Sequence, residues 1–575
     1  MKTQRQYIKS VSSLLIASTF LGLTSCRSTD TESNLINGGV ALVKVNLTGT
    51  DFSSASGNNL AQASLKSTPA TSDVQRHGAM LTPGMLIEAE LKPSAVSTSA
   101  QASTKLNTLA VAPGNTLGNG MMFRVIAYRQ SDGSYQDHKD YTIGQPVEGL
   151  TLDLGATYYL VVYSYGTSTL PTISAGELDK IGNAQVAYDN SKPDFMYQNI
   201  NYTPNNPTNT VNFTLRHKVS LITATVNSLI GNIESISNAY LSPHNTVGTF
   251  ALSNGVMANR SGAINESLNF GGSFPALTKT SDPLFVNADT GGTLGGTFGA
   301  NITIDGVLKT VTLPNTFKIT PEYKNDLTIN LKTCGAYTAP GVFTEFMCQN
   351  LGATPGTDPF STVADNHGAK YQWGTTTGEA NRYYTQAQDQ ANSGIISGWA
   401  TTSTKTSTAW NSGTIASPVK TANDPCPSGY RVPTQAEWTN VTTYNNATFE
   451  AVGSWASDAQ NYGSAIYYRN ASNVRTMMLP AAGTRINNTS PNIGVLKDRG
   501  AYGYYWTSTQ NTTVNAYNLS ASPLGAGYPT VYNNAALTDG MSVRCIRDNK
   551  AINSSVNGGN TSWSSSGNIN VTTTF

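Results

Sequence analysis

Five cysteines and five histidines are the side chains of this chain best suited to covalent, redox or metal chemistry. The cysteines are Cys26, Cys334, Cys348, Cys426 and Cys545. None forms a C-x-x-C pair, and none stands at the Cys/His spacing that a zinc site needs. The four after residue 300 form an even set. In an exported chain such a set implies two disulfides, for which three connectivities are open. The histidines His77, His138, His217, His244 and His367 are scattered. No HExxH, GxSxG or phosphate-binding glycine loop occurs, and no Ser/His/Asp order emerges. The chain is therefore expected to have no catalytic residue, no metal and no cofactor, and not to be an enzyme.

The composition narrows the class further. Of 575 residues, 35 are Lys or Arg and 34 are Asp or Glu, 12% of the chain, with a net charge of +1. An average globular protein has roughly 25% charged residues. A near-neutral chain without a basic block lacks the footprint of a nucleic-acid binder. Aromatic residues at 9%, led by 28 Tyr, and the low net charge argue against intrinsic disorder. At the start, Lys2, Arg5 and Lys9 precede an apolar run from Val11 to Leu23. That run is shorter than the roughly 20 residues needed to span a bilayer, and marks an export signal. It ends Leu23-Thr24-Ser25-Cys26, which resembles a bacterial lipoprotein box. The resemblance implies a signal peptide over 1–26, acylation (palmitate) on Cys26, and a lipid-anchored protein at the outer membrane.

The elements that must position any site are mostly strands. Ala41, Val43, Val45 and Leu47 alternate with Lys44, Asn46 and Thr48, the pattern of a half-buried strand. The polar stretch from Asp51 to Thr82 is expected to be an exposed loop, and its one arginine is Arg76, followed by His77. Near-continuous apolar runs at 122–129 and 157–165 predict strands covered on both faces, with a turn at Ser131-Asp132-Gly133. Further strands are expected at 211–215, 219–226 and 327–332, and the Pro- and Asn-rich stretch 181–209 is the expected domain boundary. Helical periodicity is weak over 34–333. From Cys334 the composition shifts, and all seven Trp follow it. Pro433-Thr434-Gln435-Ala436-Glu437-Trp438 predicts a helix start with Thr434 and Glu437 as a capping box. Trp373, Trp438 and Trp506 are expected in the core. Long polar loops at 385–422, 483–500 and 510–540 are expected to form a ligand surface. In the tail over 550–575, Ile569, Val571 and Phe575 again alternate with polar residues.

Residues 34–333 resemble the fimbrillin family, the two-sandwich subunits of protease-activated pili of anaerobic Gram-negative bacteria. The resemblance rests on the lipoprotein box, the leading strand, the arginine after it, and the segments FRVIAYRQSDGSYQDHKDYTIG, LDLGATYYLVVYSYGT and FTLRHKVSLITATVNS. It implies two tandem transthyretin-like β-sandwiches, 77–205 and 206–333, behind a propeptide over 27–76. It also implies that an Arg-specific surface protease cuts at Arg76–His77, that the strand 41–48 leaves, and that a neighbouring subunit's strand replaces it. Ile569, Val571 and Phe575 are then a candidate donor strand.

The segments NLGATPGTDPF, GAKYQWGTTTGE, CPSGYRVPTQAEW, YYWTSTQ and MSVRCIRD, in that order, resemble a C-type-lectin-like domain of the kind repeated in bacterial surface proteins. This implies a mainly β chain closed by an α+β domain over 334–549. It also implies the pairing Cys426–Cys545, with Cys334–Cys348 pinning the domain's start. Lectin calcium loops need clustered carboxylates, whereas this chain has Ser490-Pro491-Asn492 and Trp506-Thr507-Ser508. No lectin-type calcium site is expected. The functional expectation is an accessory fimbrial subunit at or near the tip, at the cell surface. Its partners are other fimbrial subunits, the protease, the membrane before processing, and a host protein or glycan, but no nucleic acid. The alternative is a non-polymerising outer-membrane lipoprotein that binds glycan or protein. A scaffold for other accessory subunits is a third reading.

Overall fold

The computed structural model describes residues 39–53, 74–94, 117–304, 306–445, 449–487, 491–524 and 529–548, together with the backbone of 561–564. Cys26, Ile569, Val571 and Phe575 lie outside the described residues. Described residues are mainly β, with strands in several sheets and two α-helices.

The first unit is one curled seven-stranded sheet. Its order is Tyr135–Thr142, Met122–Arg129, Tyr158–Ser164, Met196–Tyr202, Thr208–His217, Val40–Asp51 and Leu150–Asp153. Its two ends meet. The Thr151 amide donates to the Asp137 carboxylate at 2.8 Å, and the Tyr141 hydroxyl donates to the Glu148 carbonyl at 2.8 Å. Val43, Val45, Phe123, Leu160 and Phe213 fill the interior. The leading strand keeps its alternation, with Ala41, Val43 and Val45 buried and Lys44 and Asn46 exposed.

The second unit is a two-sheet sandwich. One sheet is built on Ser220–Ser228, Lys324–Thr333, Met85–Pro93 and Gln75–Thr82, and 561–564 adds to its edge. The other runs Val256–Ser267, Ile233–Ala251, Gly296–Ile304, Val307–Phe317. Leu327, Ile329 and Leu331 point inward, as their alternation predicts.

Two corrections follow. The expected loop through Thr82 ends in a strand, Gln75–Thr82, which pairs with Met85–Pro93 just after it, and both belong to the second sandwich rather than the first. Met85–Pro93 pairs in register with Thr333–Asn325, some 240 residues later in the chain. The strand Thr208–His217, expected in the second sandwich, completes the first sheet, so the chain crosses between units at Lys218–Val219 rather than near 205. Strand patterns reveal an element and its buried face but not its distant partner. The two sandwiches therefore interleave in sequence.

The junction between them uses the second faces of the same strands. Tyr128, Tyr163, Tyr165, Phe195 and Tyr197 meet Phe250, Leu252 and Met257, and the Phe195 and Phe250 rings stack at 3.9 Å. The Tyr128 hydroxyl donates to the Glu177 carbonyl and that of Tyr197 to the Leu252 carbonyl, both at 2.7 Å. This satisfies buried phenols that would otherwise oppose docking.

The third unit begins at Cys334. A five-stranded sheet runs Ile493–Arg499, Ala482–Asn487, Gly503–Gln510, Asn515–Ala521 and Thr530–Ala536. The expected loops at 483–500 and 510–540 are thus largely hairpins, and their polar residues are the outward halves of strand alternation. The helix Gln435–Asn445 starts as predicted. The Glu437 amide donates to Thr434 Oγ1 at 3.3 Å, and the Thr434 amide donates to the Glu437 carboxylate at 2.8 Å. A second capping box, Thr385 with Gln388, opens the short helix Gln386–Ala391. Trp373, Trp438 and Trp506 are fully buried. Disulfides join Cys334 to Cys348 and Cys426 to Cys545. The second closes a span of 119 residues beside the ladder of Tyr430–Arg431 with Ile546–Arg547.

Replacing Cys426 and Cys545 together by Ser is expected to cost this unit about 4–5 kcal/mol, from the entropy of the opened loop. Six of the seven Trp lie in this unit and the seventh, Trp563, sits on the strand that edges the second sandwich, so in a Trp563→Phe background Trp fluorescence in urea reports this unit alone. The fluorescence midpoint should fall while the sandwiches' circular dichroism transition stays in place.

Candidate functional site

The leading strand occupies an unusual place for a segment so near the start of the chain. It runs parallel to Thr208–His217, from Leu42 opposite Thr208 to Asp51 opposite Arg216. Its other edge pairs with Leu150–Asp153 over Val40–Val43. That ladder stops at Val43, and a cleft of about 350 Å³ opens beside residues 45–50, walled by Leu117, Phe123, Tyr141 and Val147.

The end of the strand is tied down by three successive residues. A register shift between Leu47 and Gly49 accommodates one extra residue, and Gly49 adopts φ +152°, in the region that favours glycine. Arg216 then donates from Nε and Nη2 to the two Asp51 carboxylate oxygens at 2.8 Å each, and from Nη1 to Ser53 Oγ at 3.0 Å. The Phe52 ring lies flat on the His217 imidazole, with centroids 4.0 Å apart and planes 3° apart. His217 is fully buried, and its Nδ1 is 2.5 Å from the Asp194 carboxylate. The Ser53 amide donates to the Glu322 carbonyl of the second sandwich at 2.8 Å. The leading segment therefore spans both sandwiches.

Arg76 and His77 are not in a loop, as expected, but begin a strand. Arg76 pairs with Glu90 and His77 with Ala89 on one side, and His77 with Ser564 on the other. The Arg76 side chain is 66% exposed and its Nε donates to Glu90 at 2.8 Å. The preceding Gln75 amide side chain exchanges hydrogen bonds with the Lys318 backbone, at 3.2 and 2.7 Å. Ser53 and Gln75, on either side of 54–73, thus both bond to the stretch 318–322. His77 is buried, and its Nδ1 has no hydrogen-bond partner among the described residues. Burial lowers its pKa to about 4.

The third unit carries a buried charge cluster. Asp389 accepts from Arg485 Nε at 2.6 Å and Arg499 Nη2 at 2.5 Å, all three within 1% exposure. Lys370 beside them donates to Ser542 Oγ at 3.1 Å, and burial, partly offset by Asp389, brings it down to about 7. These groups are consumed by one another and by backbone carbonyls, an arrangement that fixes the fold rather than presenting chemistry. Outward, the hairpins over 503–536 present Val514 and Tyr532 among Asn and Thr side chains. Of the residues singled out from sequence, the described ones fall into separate places: Arg76 and His77 on the second sandwich, the cysteines in the third unit. Nothing in the sequence marks Asp51, Phe52, Ser53, Arg216 and His217 as one group. The period-two pattern ends before Asp51, and nothing local marks a pairing across 165 residues.

Residues 344–547 match the family described as the Fibrobacter succinogenes major domain. No curated protein matches the chain. Among solved structures, the chain is similar to a candidate cell adhesion protein from Bacteroides fragilis, with 9% identity over 50% of this chain and 92% of that one and a TM-score of 0.27. It is similar to another from Bacteroides uniformis, with 14% identity over 37% and 86% and a TM-score of 0.26. It is also similar to the tip fimbrial protein of Porphyromonas gingivalis with a C-terminal truncation, with 12% identity over 37% and 92% and a TM-score of 0.25. Likenesses this distant assign no function.

The buried His77 makes a prediction with a definite sign. The folded chain keeps this imidazole neutral down to about pH 4, whereas an unfolded one protonates near 6.5. Between those values the unfolded state binds more protons, so stability falls as pH drops from 6.5 to 4, by up to about 3 kcal/mol. Urea unfolding of wild type and His77→Gln at pH 7.5 and 4.5 should show the larger acid loss in wild type.

Proposed function

We propose that the chain is an accessory subunit of a cell-surface fimbria, at or near its tip, exported as a lipoprotein through Cys26 and activated by cleavage at Arg76–His77. The observation that carries this reading is the place of the leading strand. Val40–Asp51 fills the gap between Thr208–His217 and Leu150–Asp153, yet it joins the rest of the chain through one segment that ends beside an exposed arginine. Cutting there leaves the strand held by non-covalent contacts alone. Its departure would uncover two ladder edges and the sites of Ala41, Val43 and Val45, apolar burial of order 5 kcal/mol. An edge and groove of that kind are satisfied by another extended strand. Val45 and its neighbours already stand beside an open cleft, which gives an incoming strand a place to start.

The third unit is the part of the molecule free to meet a ligand. We read it as a C-type-lectin-like domain whose hairpins over 503–536 contact a host protein, a glycan or a neighbouring subunit. Its aromatic and uncharged polar surface suits contact at short range. The candidate donor strand Ile569, Val571 and Phe575 belongs to the same proposal.

One observation favours the alternative, a surface lipoprotein that never polymerises. The Arg76–His77 bond lies in a strand paired with Met85–Pro93 on one side and, from His77 on, with 561–564 on the other, so a protease reaches it only when the strand frays. N-terminal sequencing of the protein recovered from the cell surface separates the two. Activation predicts a start at His77, and predicts that Arg76→Ala retains the leader and is lost from fibres. Mature protein that keeps its lipid and residues 27–76 supports the alternative, and any other start overturns this processing site.

A further inference from the structure

We propose that the strand replacing the leading strand must end in a carboxylate followed directly by an aromatic ring, because Arg216 and His217 form a two-residue receptor for that pair at the seam between the sandwiches. The inference rests on the strand-exchange reading and goes beyond it, by stating which incoming strands the groove accepts.

The receptor is built, and the leading segment fills it completely. Three donor atoms of the Arg216 guanidinium are spent on this segment, two on Asp51 and one on Ser53. The fork geometry is matched by a carboxylate and not by an amide or hydroxyl. Arg216 is about one-third exposed, so it stands at the mouth of the groove where an incoming strand arrives. Next to it, the face of His217 is covered by Phe52, and the ring cannot turn away because Asp194 holds Nδ1. Removing Phe52 would expose a flat, fixed imidazole beside Phe285, whose ring centroid lies 6.1 Å away. A second aromatic ring is the group that re-covers such a surface. The backbone enforces the order. Without the shift at Leu47–Gly49, Thr50 would stand opposite Arg216; with it, Asp51 does, and Phe52 follows onto His217. The apolar alternation at Val43, Val45 and Leu47 is a general strand requirement, whereas the acid-aromatic ending is particular to this groove.

The rule also says something about the partner. Residues 549–575 contain no Asp or Glu, so the tail of a second copy does not carry the pair. A tail strand that carries the pair therefore belongs to a different subunit.

The test uses the full chain with a single-site protease sequence inserted within 54–73, cut, and challenged with fluorescent synthetic peptides. The probes are the leader peptide 39–53, its D51N, F52A and K44A forms, and the tail peptide 561–575. The expected result is that D51N, F52A and the tail peptide bind at least tenfold more weakly than the leader, while K44A binds as the leader does. A charge swap, Arg216→Asp with a D51R peptide, should recover binding that either change alone abolishes. If D51N and F52A bind as tightly as the leader, the receptor is overturned while strand exchange stands. If no peptide exchanges into the cut protein, strand exchange itself fails and the inference falls with it.

Discussion

The parallel ladder between Val40–Asp51 and Thr208–His217 is the contact on which the rest of the sandwich pair depends. It closes the first sheet, it covers that sheet's core with Val43 and Val45, and through Ser53 it reaches the second sandwich. A parallel pair between segments 165 residues apart gains nothing until the intervening chain has folded. The leading strand is therefore a late addition to a sheet that must already exist. Without it Thr208–His217 keeps its ladder to Met196–Tyr202, whereas Leu150–Asp153 loses its one ladder among the described residues and is held by the Thr151–Asp137 and Tyr141–Glu148 hydrogen bonds.

Two different strategies hold the molecule together. The sandwiches have no cysteine and rely on strands buried on both faces. Val161 and Tyr163 look to the junction while Leu160 and Val162 look to the core of the first unit. Tyrosine suits the junction because its ring adds apolar area and its hydroxyl can reach a carbonyl at the edge. The third unit is short on regular structure and long on loops between short strands. It compensates with two disulfides, four fully buried tryptophans and a buried cluster around Asp389. The chain as a whole carries few charges, 12% of its residues. Many of its charges are spent internally, as in Arg124 with Asp140, Arg216 with Asp51 and Arg485 with Asp389. The outer surface is left to Asn, Thr and Ser, which favours contacts made at short range over long-range steering.

Local features were legible in the sequence and distant ones were not. The alternation at Ala41–Leu47, the strands at 122–129 and 157–165 and the Thr434–Glu437 capping box are each encoded within about ten residues, and the structure forms them. The boundary near 205 and the loop through Thr82 failed for one reason. Gln75–Thr82 and Met85–Pro93 look like ambiguous polar or apolar stretches until Lys324–Thr333 is brought beside them. The polar hairpins over 483–540 read as loops in the sequence because half their residues face water on an antiparallel sheet. At the candidate site, Arg76 could be singled out because it stands alone. Asp51 and Phe52 could not, because their meaning lies in Arg216 and His217.

The central claim is that the leading strand must leave for the chain to join a fibre. Asn46 and Asn212 are opposite each other on the outer face of the ladder, with their side-chain amides hydrogen-bonded at 2.8 Å. Neighbouring strand residues of this kind are within disulfide reach. Asn46→Cys combined with Asn212→Cys would staple the strand in place without touching the core. The account predicts that the stapled protein is cleaved at Arg76 yet absent from surface fibres, and that mild reduction restores its incorporation. Stapled protein found in fibres with its leader still attached would contradict it.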